Sequence, residues 1–449
     1  MNKLVDFPYS HVLVLGLAKS GTAAAKVLID SGVSVRVNDL KTSEDDEVVA
    51  QLRSIGAEVI VGAHPMSVLD GIDLIVKNPG IPYENVVLKE AEKLDIPIIT
   101  EIELAGQLAE GTIIGITGSN GKTTTTTLVF EMLRNSQQPV KLAGNIGIVA
   151  TETARELQHN EKMVLELSSF QLMGIKTFRP KIAVLLNIYE AHLDYHKTFD
   201  NYKEAKCAIF QNQLQDDYLV FNADDPQIMS EASNAIATKV PFSVSSKLET
   251  GAWIDEKDLY FKSEKVISLK EIVLVGAHNL ENILAAVCAA KLGGATNDGI
   301  RKVLTTFTGV SHRLQFVSNV ESRLFYNDSK ATNILATQKA LSSFTQPIIL
   351  LAGGLDRGNS FDELIPYLKH VRGMVVFGET AEKLRDTATK AEVPIVKSAI
   401  DVQDAVRKAF SFSEADDVIL LSPACASWDQ YKTFEERGDM FIQAVHTIK

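Results

Sequence analysis

The sequence has few cysteines, no excess of basic residues and no long apolar run. Its three cysteines, Cys207, Cys288 and Cys425, are far apart and form no C-x-x-C pair, which argues against a disulfide framework and is typical of a reducing compartment. The formal net charge of -12 disfavours binding to nucleic acid or to an anionic membrane surface, because both need a basic face. No stretch approaches the roughly 20 apolar residues of a membrane span, and the apolar run from Val12 to Leu17 is too short for a signal peptide. We therefore expect a cytoplasmic protein.

The rest of the composition is that of an ordinary globular protein with several domains. Hydrophobic residues make up 45% of the chain and charged residues 23%. A length of 449 residues predicts about three domains. Short apolar strands alternate with helical segments along three successive blocks, which is typical of parallel α/β sheets. We therefore predict an α/β protein with a mostly parallel sheet in each of three domains, over residues 1–100, 101–309 and 310–449.

Local patterns predict several elements within these blocks. In the first block a helix is predicted from about Thr22 to Asp30, after the strand HVLVLG. A helix with the sequence NLENILAAVCAAKLGG closes the second block, beginning after Gly276 and stopping at its Gly-Gly pair. In the third block a hairpin is predicted around RLQFVS and RLFYNDS, and the last helix is expected to start near Trp428.

The strongest local signal is a glycine-rich loop between a predicted strand and a predicted helix. It reads Gly118-Ser119-Asn120-Gly121-Lys122-Thr123-Thr124. Backbone N–H groups in such a loop can cradle phosphate oxygens at the positive end of the following helix. Lys122 would reach the β- and γ-phosphates, and the Thr123 hydroxyl would bind Mg²⁺. The strict pattern G-x-x-x-x-G-K-[ST] fails at its first glycine, where the chain has Ile116. The alternative is a turn that merely caps a helix, and the order of strand, loop and helix disfavours it.

A phosphate loop indicates only that a nucleoside triphosphate binds, so the reaction class depends on polar residues at the neighbouring strand ends. Glu166 ends the strand MVLEL, and the segment YEAHLDYH after the next strand supplies Glu190, His192, Asp194 and His196. Ligands of open parallel sheets bind at the carboxyl ends of the strands, so Glu166 is placed to bind Mg²⁺ and His192 a second divalent ion. Taken alone, Glu166 could be a solvated residue at a strand exit, and a lone histidine there is more often a surface residue than a ligand. The phosphate loop on an adjacent strand reverses that preference for His192.

Lys206 follows in the apolar helical stretch NYKEAKCAIF. Its default interpretation is a surface lysine whose stem lies along apolar neighbours while its charge stays in water.

Several long motifs resemble the Mur ligases. The run GITGSNGKTTTT resembles the ATP loop of that family, a loop that folylpolyglutamate synthases share, and VLELSSFQL, LNIYEAHLDYH and GAHNLENILAA follow in the order of the family's central domain. In the third block SHR, YNDSKATN and LLSPACASWDQYKTFEERG resemble the branch that adds D-glutamate. The resemblance covers nearly the whole chain. It implies a Rossmann-like N-terminal domain for a uridine nucleotide, a central mononucleotide-binding domain and a C-terminal domain of the dinucleotide-binding type.

The resemblance also implies roles for individual residues. Lys122 would contact the ATP phosphates, Thr123 and Glu166 would hold one Mg²⁺, and His192 would bind a second Mg²⁺. Lys206 resembles a lysine that is carbamylated in this family, and its carbamate would help to hold the second metal ion. The remaining ATP contacts implied are Asn279 and Asn282 near the adenine and ribose, Arg313 of the His312-Arg313 pair, and Asp328 at the ribose.

The expected substrates are UDP-N-acetylmuramoyl-L-alanine, D-glutamate and ATP. A monomeric enzyme would use ATP to activate the alanyl carboxylate as an acyl phosphate and would then join it to D-glutamate. The turn Gly16-Leu17-Ala18-Lys19-Ser20-Gly21 would meet the uridine nucleotide, and its lack of a full G-x-G-x-x-G pattern disfavours a nicotinamide cofactor. The implied contacts are Lys19, Ser20, Asp39, Asn78 and Asn145 for the nucleotide substrate, and Lys330, Thr332, Ser427 and Phe434 for D-glutamate. Arg357 stands where better-known members have a lysine in a differently built loop, which leaves the carboxylate contact there open.

Two rival functions remain at this point. One is another ligase of the same superfamily, either a folylpolyglutamate synthase or a Mur ligase for a different amino acid. The N-terminal nucleotide block disfavours the first, and the NDSKATN and SPACASWDQ runs favour D-glutamate. The other is a phosphate-loop switch protein without ligase activity, which the polar set at Glu166, His192 and Lys206 disfavours.

Overall fold

A computed structural model describes residues 1–448, and its three sheets form two compact units. The first unit comprises Met1–Ile272 and His278–Thr305, and it contains the first two sheets. The second unit comprises Val273–Ala277 and the chain from Thr306 onward, and it contains the third sheet. The predicted α/β class with three mostly parallel sheets is confirmed.

The first sheet has five parallel strands in the order β3-β2-β1-β4-β5. Its strands are β1 (His11–Leu15), β2 (Ser34–Asp39), β3 (Glu58–Val61), β4 (Leu74–Lys77) and β5 (Ile98–Thr100), with helices α1 (Lys19–Asp30), α2 (Glu47–Ser54) and α3 (Val86–Lys93). The order reverses between β1 and β4, and ligands of open α/β sheets bind at such a point, beyond the carboxyl ends of the strands. Helix α1 begins at Lys19, three residues before the predicted start. Gly21 lies inside the helix, and the Thr22 N–H already donates to the Ala18 carbonyl.

The second sheet has nine strands in the order β14-β13-β12-β11-β10-β9-β6-β8-β7. They are β6 (Thr112–Thr117), β7 (Val140–Gly144), β8 (Lys162–Glu166), β9 (Ile182–Leu185), β10 (Tyr218–Asn222), β11 (Thr238–Ser243), β12 (Ala252–Ile254), β13 (Asp258–Phe261) and β14 (Glu264–Ser268). The pairs from β7 to β12 are parallel and the β12-β13-β14 edge is antiparallel, a feature that the apolar pattern did not reveal.

Within residues 1–448, nine helices accompany this sheet. They are α4 (Glu101–Leu108), α5 (Lys122–Asn135), α6 (Ala150–Arg155), α7 (Ser169–Leu172), α8 (Leu193–His196), α9 (Phe199–Cys207), α11 (Ala277–Leu292) and α12 (Asn297–Leu304), together with α10 (Pro226–Ser233) on the β10 side. The bounds of α11 agree with the helix predicted between Gly276 and the Gly-Gly pair. Strand β6, which leads into the glycine-rich loop, lies between β8 and β9, so their carboxyl ends meet at one edge.

The third sheet has six strands in the order β15-β16-β20-β17-β18-β19, parallel except for the β15-β16 hairpin that the sequence predicts. Its elements are β15 (Gln315–Val320), β16 (Arg323–Asn327), α13 (Ile334–Leu341), β17 (Ile348–Gly353), β18 (Val371–Phe377), α14 (Ala381–Lys390), β19 (Ile395–Ser398), α15 (Val402–Phe412), β20 (Val418–Leu421) and α16 (Phe434–Thr447). Apolar side chains from both faces of the sheet form the core of the unit.

The last helix does not begin near Trp428 as predicted, but at Phe434. The N–H groups of Gln430 and Tyr431 donate to the Ser427 carbonyl and form a turn instead. The helix starts where the Thr433 hydroxyl accepts the Glu436 N–H, which is the position that a threonine N-cap favours.

Two further expectations concern the whole described chain. All three cysteines are free thiols. None of the helices in residues 1–448 combines the length and the apolar character that crossing a bilayer requires.

Candidate active site

The glycine-rich loop joins β6 to α5 and is braced by the segment that follows β9. The N–H groups of Ser119 and Asn120 donate to the backbone carbonyl and to the side-chain Oδ1 of Asn187, each at 2.9 Å. Gly121 has a φ of 82° at the start of α5, and a Cβ there would collide with Asn282 Oδ1. Only glycine fits this approach, so the loop lies directly against α11. Sequence reasoning missed Asn187, although the motif LNIYEAH contains it.

The two predicted adenine and ribose contacts lie side by side on α11. The Asn282 amide donates to Asn279 Oδ1 at 3.1 Å, and both side chains are buried. The Thr125 hydroxyl approaches Asn282 Oδ1 at 3.5 Å from the first turn of α5. The structure therefore places this asparagine pair behind the glycine-rich loop.

Lys122 and Lys206 converge on the same carbonyl of the loop. Each ammonium lies 2.8 Å from the Gly118 carbonyl oxygen, and Lys122 also donates to Ser119 O at 3.1 Å. Lys206 is only 1% exposed, so its default interpretation as a surface lysine is wrong. Burial lowers the pKa of Lys206 well below its ordinary value, and the nearby charge of Lys122 lowers it further.

Glu166 ends β8, directly beside β6, and its side chain is buried with 2% exposure. Its Oε1 accepts a hydrogen bond from the Asn145 amide at 3.1 Å, and the Asn145 N–H donates to the Glu166 carbonyl at 3.0 Å. Its Oε2 is also buried but has no hydrogen-bond partner in the described residues. An orphaned buried carboxylate oxygen is costly unless a cation meets it, so this residue fits a metal ligand.

Among residues 1–448, no group of three His, Cys, Asp or Glu side chains is arranged to hold a metal ion. A cation at Glu166 would therefore take other ligands, such as a hydroxyl or phosphate oxygens. That is the arrangement that Mg²⁺ prefers in nucleotide sites, where it is bound by one or two carboxylates together with the substrate phosphates. Thr123, in the first turn of α5 and beside the loop, is the hydroxyl that the sequence predicts for this role.

The two histidines of the YEAHLDYH segment have different environments. His192 is exposed, has a left-handed backbone with φ of 55°, and packs its ring edge-on against Phe170 at 5.0 Å. Burial lowers the pKa of His192 and outweighs the opposite effect of Asp194. The lowered pKa favours the neutral imidazole, which is the form that binds metals. His196 is buried, lies 2.9 Å from the Ser169 hydroxyl, and has a pKa lowered to about 4 by burial. Of the two, His192 is the available ligand.

A second cradle lies at the carboxyl ends of β1, β2 and β4. Asp39 accepts three backbone hydrogen bonds, from the N–H groups of Leu17 at 2.8 Å, Lys41 at 2.7 Å and Thr42 at 2.8 Å. Burial acts to raise the pKa of Asp39, but these hydrogen bonds outweigh it and lower the pKa. The carboxylate is thus ionised and holds the glycine turn in place.

The other residues predicted for the nucleotide substrate lie beside this carboxylate. The Asn78 amide donates to the Ser20 hydroxyl at 3.1 Å, and a Cβ on Gly16 would lie 2.9 Å from Asn78 Cβ. Lys19 begins α1 and is exposed. Four of the five predicted residues therefore meet at the point where the strand order reverses, and Asn145 lies apart from them, on Glu166.

The second unit contains the residues predicted for D-glutamate. The Lys330 ammonium lies 4.9 Å from the centre of the Phe434 ring, and the Thr332 N–H donates to the Lys330 carbonyl at 2.9 Å. Ser427 is 1% exposed, and its hydroxyl has no hydrogen-bond partner among the described residues. The guanidinium of Arg357 stacks at 5.2 Å over the exposed ring of Trp428, the residue next to Ser427.

Arg437 is fully buried in the same unit, and sequence reasoning missed it. Its guanidinium donates to the carbonyls of Ser329 at 2.9 Å, Cys425 at 3.0 Å and Gly353 at 3.3 Å. It thereby joins the SPACAS segment to the NDSK segment. Arg437 lies on the buried face of α16, within the sequence FEERGD. It was missed because charged residues are expected at the surface.

Asp328 is buried at the end of β16 and accepts hydrogen bonds from the Ser422 hydroxyl at 2.9 Å and the Leu314 N–H at 3.2 Å. Burial raises the pKa of Asp328 to about 7, against the opposing effects of the two hydrogen bonds and of the charge of Arg313. Arg313 and Asp328, the two residues of the second unit that are predicted to contact ATP, therefore lie close enough for their charges to interact.

Comparisons with known proteins agree on one family over the three sheets. Residues 10–100 match the N-terminal domain of MurD-like Mur ligases, residues 116–290 the Mur ligase middle domain, and residues 312–425 the Mur ligase glutamate ligase domain. A protein of Oceanobacillus iheyensis named UDP-N-acetylmuramoylalanine--D-glutamate ligase is 62% identical over 100% of both chains. A protein of Geobacillus kaustophilus with the same name is 57% identical over 99% of both chains.

Solved structures support the fold at lower identity. The MurF ligase of Thermotoga maritima in complex with ADP superposes with a TM-score of 0.58 at 18% identity, covering 99% of this chain and 97% of its own. The UDP-N-acetylmuramate-alanine ligase of the same organism superposes with a TM-score of 0.57 at 18% identity, covering 98% of this chain and 100% of its own.

Proposed function

The chain belongs to the Mur ligase family, and we propose that it uses ATP to join D-glutamate to UDP-N-acetylmuramoyl-L-alanine in the synthesis of peptidoglycan precursors. The observation that carries the proposal is the identity of 62% over the whole length to a relative of that name. The sites described above supply what such a reaction needs, which are a loop for phosphates, a buried carboxylate for a cation and a separate cradle for a nucleotide. We also propose that the protein acts in the cytoplasm as a monomer.

Each of the three sheets would serve one substrate. Residues 1–100 would bind the uridine nucleotide through Asp39, Ser20 and Asn78, and residues 101–309 would bind ATP. Residues 310–449 would bind D-glutamate, whose two carboxylates call for a cation and for hydroxyl donors. Lys330 and the unpartnered, buried hydroxyl of Ser427 are donors of those two kinds.

The reaction would proceed through an acyl phosphate. An oxygen of the alanyl carboxylate attacks the γ-phosphorus of ATP, and the bond to the ADP oxygen breaks. The D-glutamate nitrogen then attacks the acyl carbon, loses a proton, and expels inorganic phosphate to leave the amide. Lys122 would neutralise charge that develops on the transferring phosphoryl group, and the loop N–H groups would hold the phosphates still. Positioning supplies most of the rate, because the protein forms no covalent bond to substrate.

Residues of the central domain would hold Mg²⁺ at two sites, and bound Mg²⁺ would supply positive charge that offsets the negative charge of the phosphates. The buried, unpaired Oε2 of Glu166 supports the first site, with Thr123 as its neighbour. His192 and Lys206 would serve the second. Lys206 would act as a carbamate, formed when its neutral amine attacks CO₂ and releases a proton. Its burial and its lowered pKa support the neutral amine that this step needs.

A phosphate-release assay tests the proposed function. With UDP-N-acetylmuramoyl-L-alanine and ATP, D-glutamate should support turnover and L-glutamate should not, with a difference in kcat/KM of about a thousandfold or more. A site that fixes two carboxylates and an amine leaves polar groups unpaired when the other enantiomer binds. Comparable rates with L-glutamate, L-lysine or a folate substrate would assign the chain to another branch of the superfamily.

A further inference from the structure

A second buried lysine, Lys77, lies outside the glycine-rich loop in the same unit. It is the last residue of β4 and is 1% exposed. Its ammonium lies 3.3 Å from the carbonyl oxygens of Asn78 and Pro79 and 3.0 Å from that of Ile81, and it donates to the Tyr195 hydroxyl at 3.1 Å. Three N–H groups thus serve four oxygen acceptors. Three of these acceptors belong to one turn, and the fourth comes from a residue more than a hundred positions away.

Packing alone does not explain a lysine at this position. Burial lowers the pKa of Lys77 to about 7, and no carboxylate contributes to that shift. The ammonium instead faces the rings of Tyr83 at 4.8 Å and Tyr195 at 5.8 Å. A methionine of similar volume would fill the same space without the cost of desolvating a charge. What the lysine adds is the set of hydrogen bonds to the turn and to Tyr195.

Those hydrogen bonds connect the two candidate sites of the first unit. The turn begins with Asn78, whose amide meets Ser20 in the nucleotide cradle. Tyr195 belongs to the same short segment as His192, which is proposed to bind the second metal ion. The Tyr195 hydroxyl, which accepts from Lys77, also lies 3.0 Å from the Ile81 carbonyl and can donate to it.

The Tyr195 ring also contacts a neighbour of His192. It packs edge-on against Phe170 at 4.6 Å, and Phe170 is also the ring against which His192 packs. A displacement of Tyr195 would therefore be transmitted to His192 through a shared aromatic neighbour.

We propose that Lys77 is a positioning residue, which ties the Asn78 turn to the His192 segment through the Tyr195 hydroxyl and so sets the bound nucleotide substrate against the phosphate and metal site. This role rests on the proposed function. It gives the ligase a polar connection between two domains of the first unit that does not touch substrate itself. Loss of the connection should reduce the rate of the chemical step, because small misplacements of reacting groups are costly.

The experiment compares Lys77→Met, Tyr195→Phe and the double variant by the D-glutamate-dependent release of phosphate. Tyr195→Phe keeps the ring and its packing but loses the hydroxyl, so kcat should fall about tenfold while KM for ATP stays unchanged. Lys77→Met should lower kcat at least as much and also raise KM for UDP-N-acetylmuramoyl-L-alanine, because the Asn78 turn loses three hydrogen bonds. The double variant should be no slower than Lys77→Met, since both changes remove one connection.

Tyr83→Phe is the matched control. It keeps a ring face toward Lys77 and removes a hydroxyl that lies 3.5 Å from the Met173 carbonyl, so its kinetics should equal those of the unchanged protein. Normal kcat in folded Tyr195→Phe, or losses that multiply in the double variant, would overturn the proposal. If Lys77→Met does not fold, Tyr195→Phe against Tyr83→Phe decides it. If the unchanged protein releases no phosphate with D-glutamate, the proposed function fails rather than the connection.

Discussion

Lys206 and Lys77 are both 1% exposed and both have a lowered pKa, yet their surroundings differ in kind. The ammonium of Lys77 meets four oxygen acceptors and two aromatic rings. The ammonium of Lys206 also faces a ring, that of Tyr202 at 4.8 Å, but it donates to a single carbonyl, that of Gly118, which it shares with the like charge of Lys122. Burial alone therefore does not identify the role of a lysine. The number and the charge of its partners do.

The difference predicts which of the two amines can react. When Lys77 loses its proton, it gives up one of the N–H groups that serve its four oxygen acceptors, and no charged group in residues 1–448 contributes to the shift of its pKa. Lys206 is repelled by Lys122, so the neutral form is favoured there, and a carbamate would find a cation waiting. We therefore expect Lys77 to hold its neighbours in position and Lys206 to react. Three experiments, on Lys122, Lys206 and Lys77, test that contrast.

The largest effect is expected for Lys122→Ala, which removes the positive charge beside Lys206. Turnover should fall about a thousandfold or more, because the phosphoryl group then loses its cation in the transition state. The side chain begins a helix and contributes little to the core, so the melting temperature should hardly change. Steady-state kinetics and thermal unfolding of one preparation give both values. Near-normal turnover, or a loss of stability that matches the loss of activity, would contradict the assignment of the loop.

Lys206→Ala is expected to be the next most severe change, with turnover about a hundredfold lower or worse. A short carboxylic acid added to the buffer should restore part of the rate by filling the vacated space. Lys203→Ala is the matched control on the same helix, because Lys203 forms ion pairs with Asp200 and Glu231 and should be replaceable. Full activity of Lys206→Ala would return the second metal ion to His192 and the substrate, and would remove the contrast with Lys77.

Much of the site could be predicted from the sequence because its residues follow the ends of strands. Glu166, Asp39 and the glycine-rich loop each end an apolar run, and the parallel order brings such ends together. The predicted class and the three sheets follow from the same alternation. The family resemblance supplied the rest of the named residues, whose ligands stay predictions.

The sequence could not reveal which charged residues are buried. Lys77, Lys206 and Arg437 occur in stretches that also contain exposed charges, and their burial depends on carbonyl groups and rings brought in from distant segments. The start of the last helix was missed for a related reason. A turn held by the Ser427 carbonyl and an N-cap at Thr433 delay the helix, although the sequence pattern alone would let it begin earlier. Contacts of this kind have no local signature.

The smallest expected effect is on stability against pH, and it concerns Lys77 alone. The folded-state pKa of Lys77 is about 7, whereas an unfolded lysine titrates near 10.5. Between these values the unfolded chain binds the extra proton, so the unfolding free energy should rise with pH, by up to about 1.4 kcal/mol per pH unit. Below pH 7 both states hold the proton and this group contributes no slope. Tyr83 stays neutral over this range, because burial raises its pKa to about 12, and burial raises the pKa of Tyr195 as well.

Urea unfolding of the unchanged protein and of Lys77→Met, from pH 6 to pH 9, measures this contribution, because groups common to both proteins cancel in the difference. Lys77→Met should gain relative stability at pH 6, where the unchanged protein buries a full charge, and should lose that advantage as the pH rises to 9. A difference that stays constant over the whole range would mean that Lys77 keeps an ordinary pKa. In that case its carbonyl and hydroxyl partners compensate its charge fully, and the two buried lysines would differ in electrostatics as well as in position.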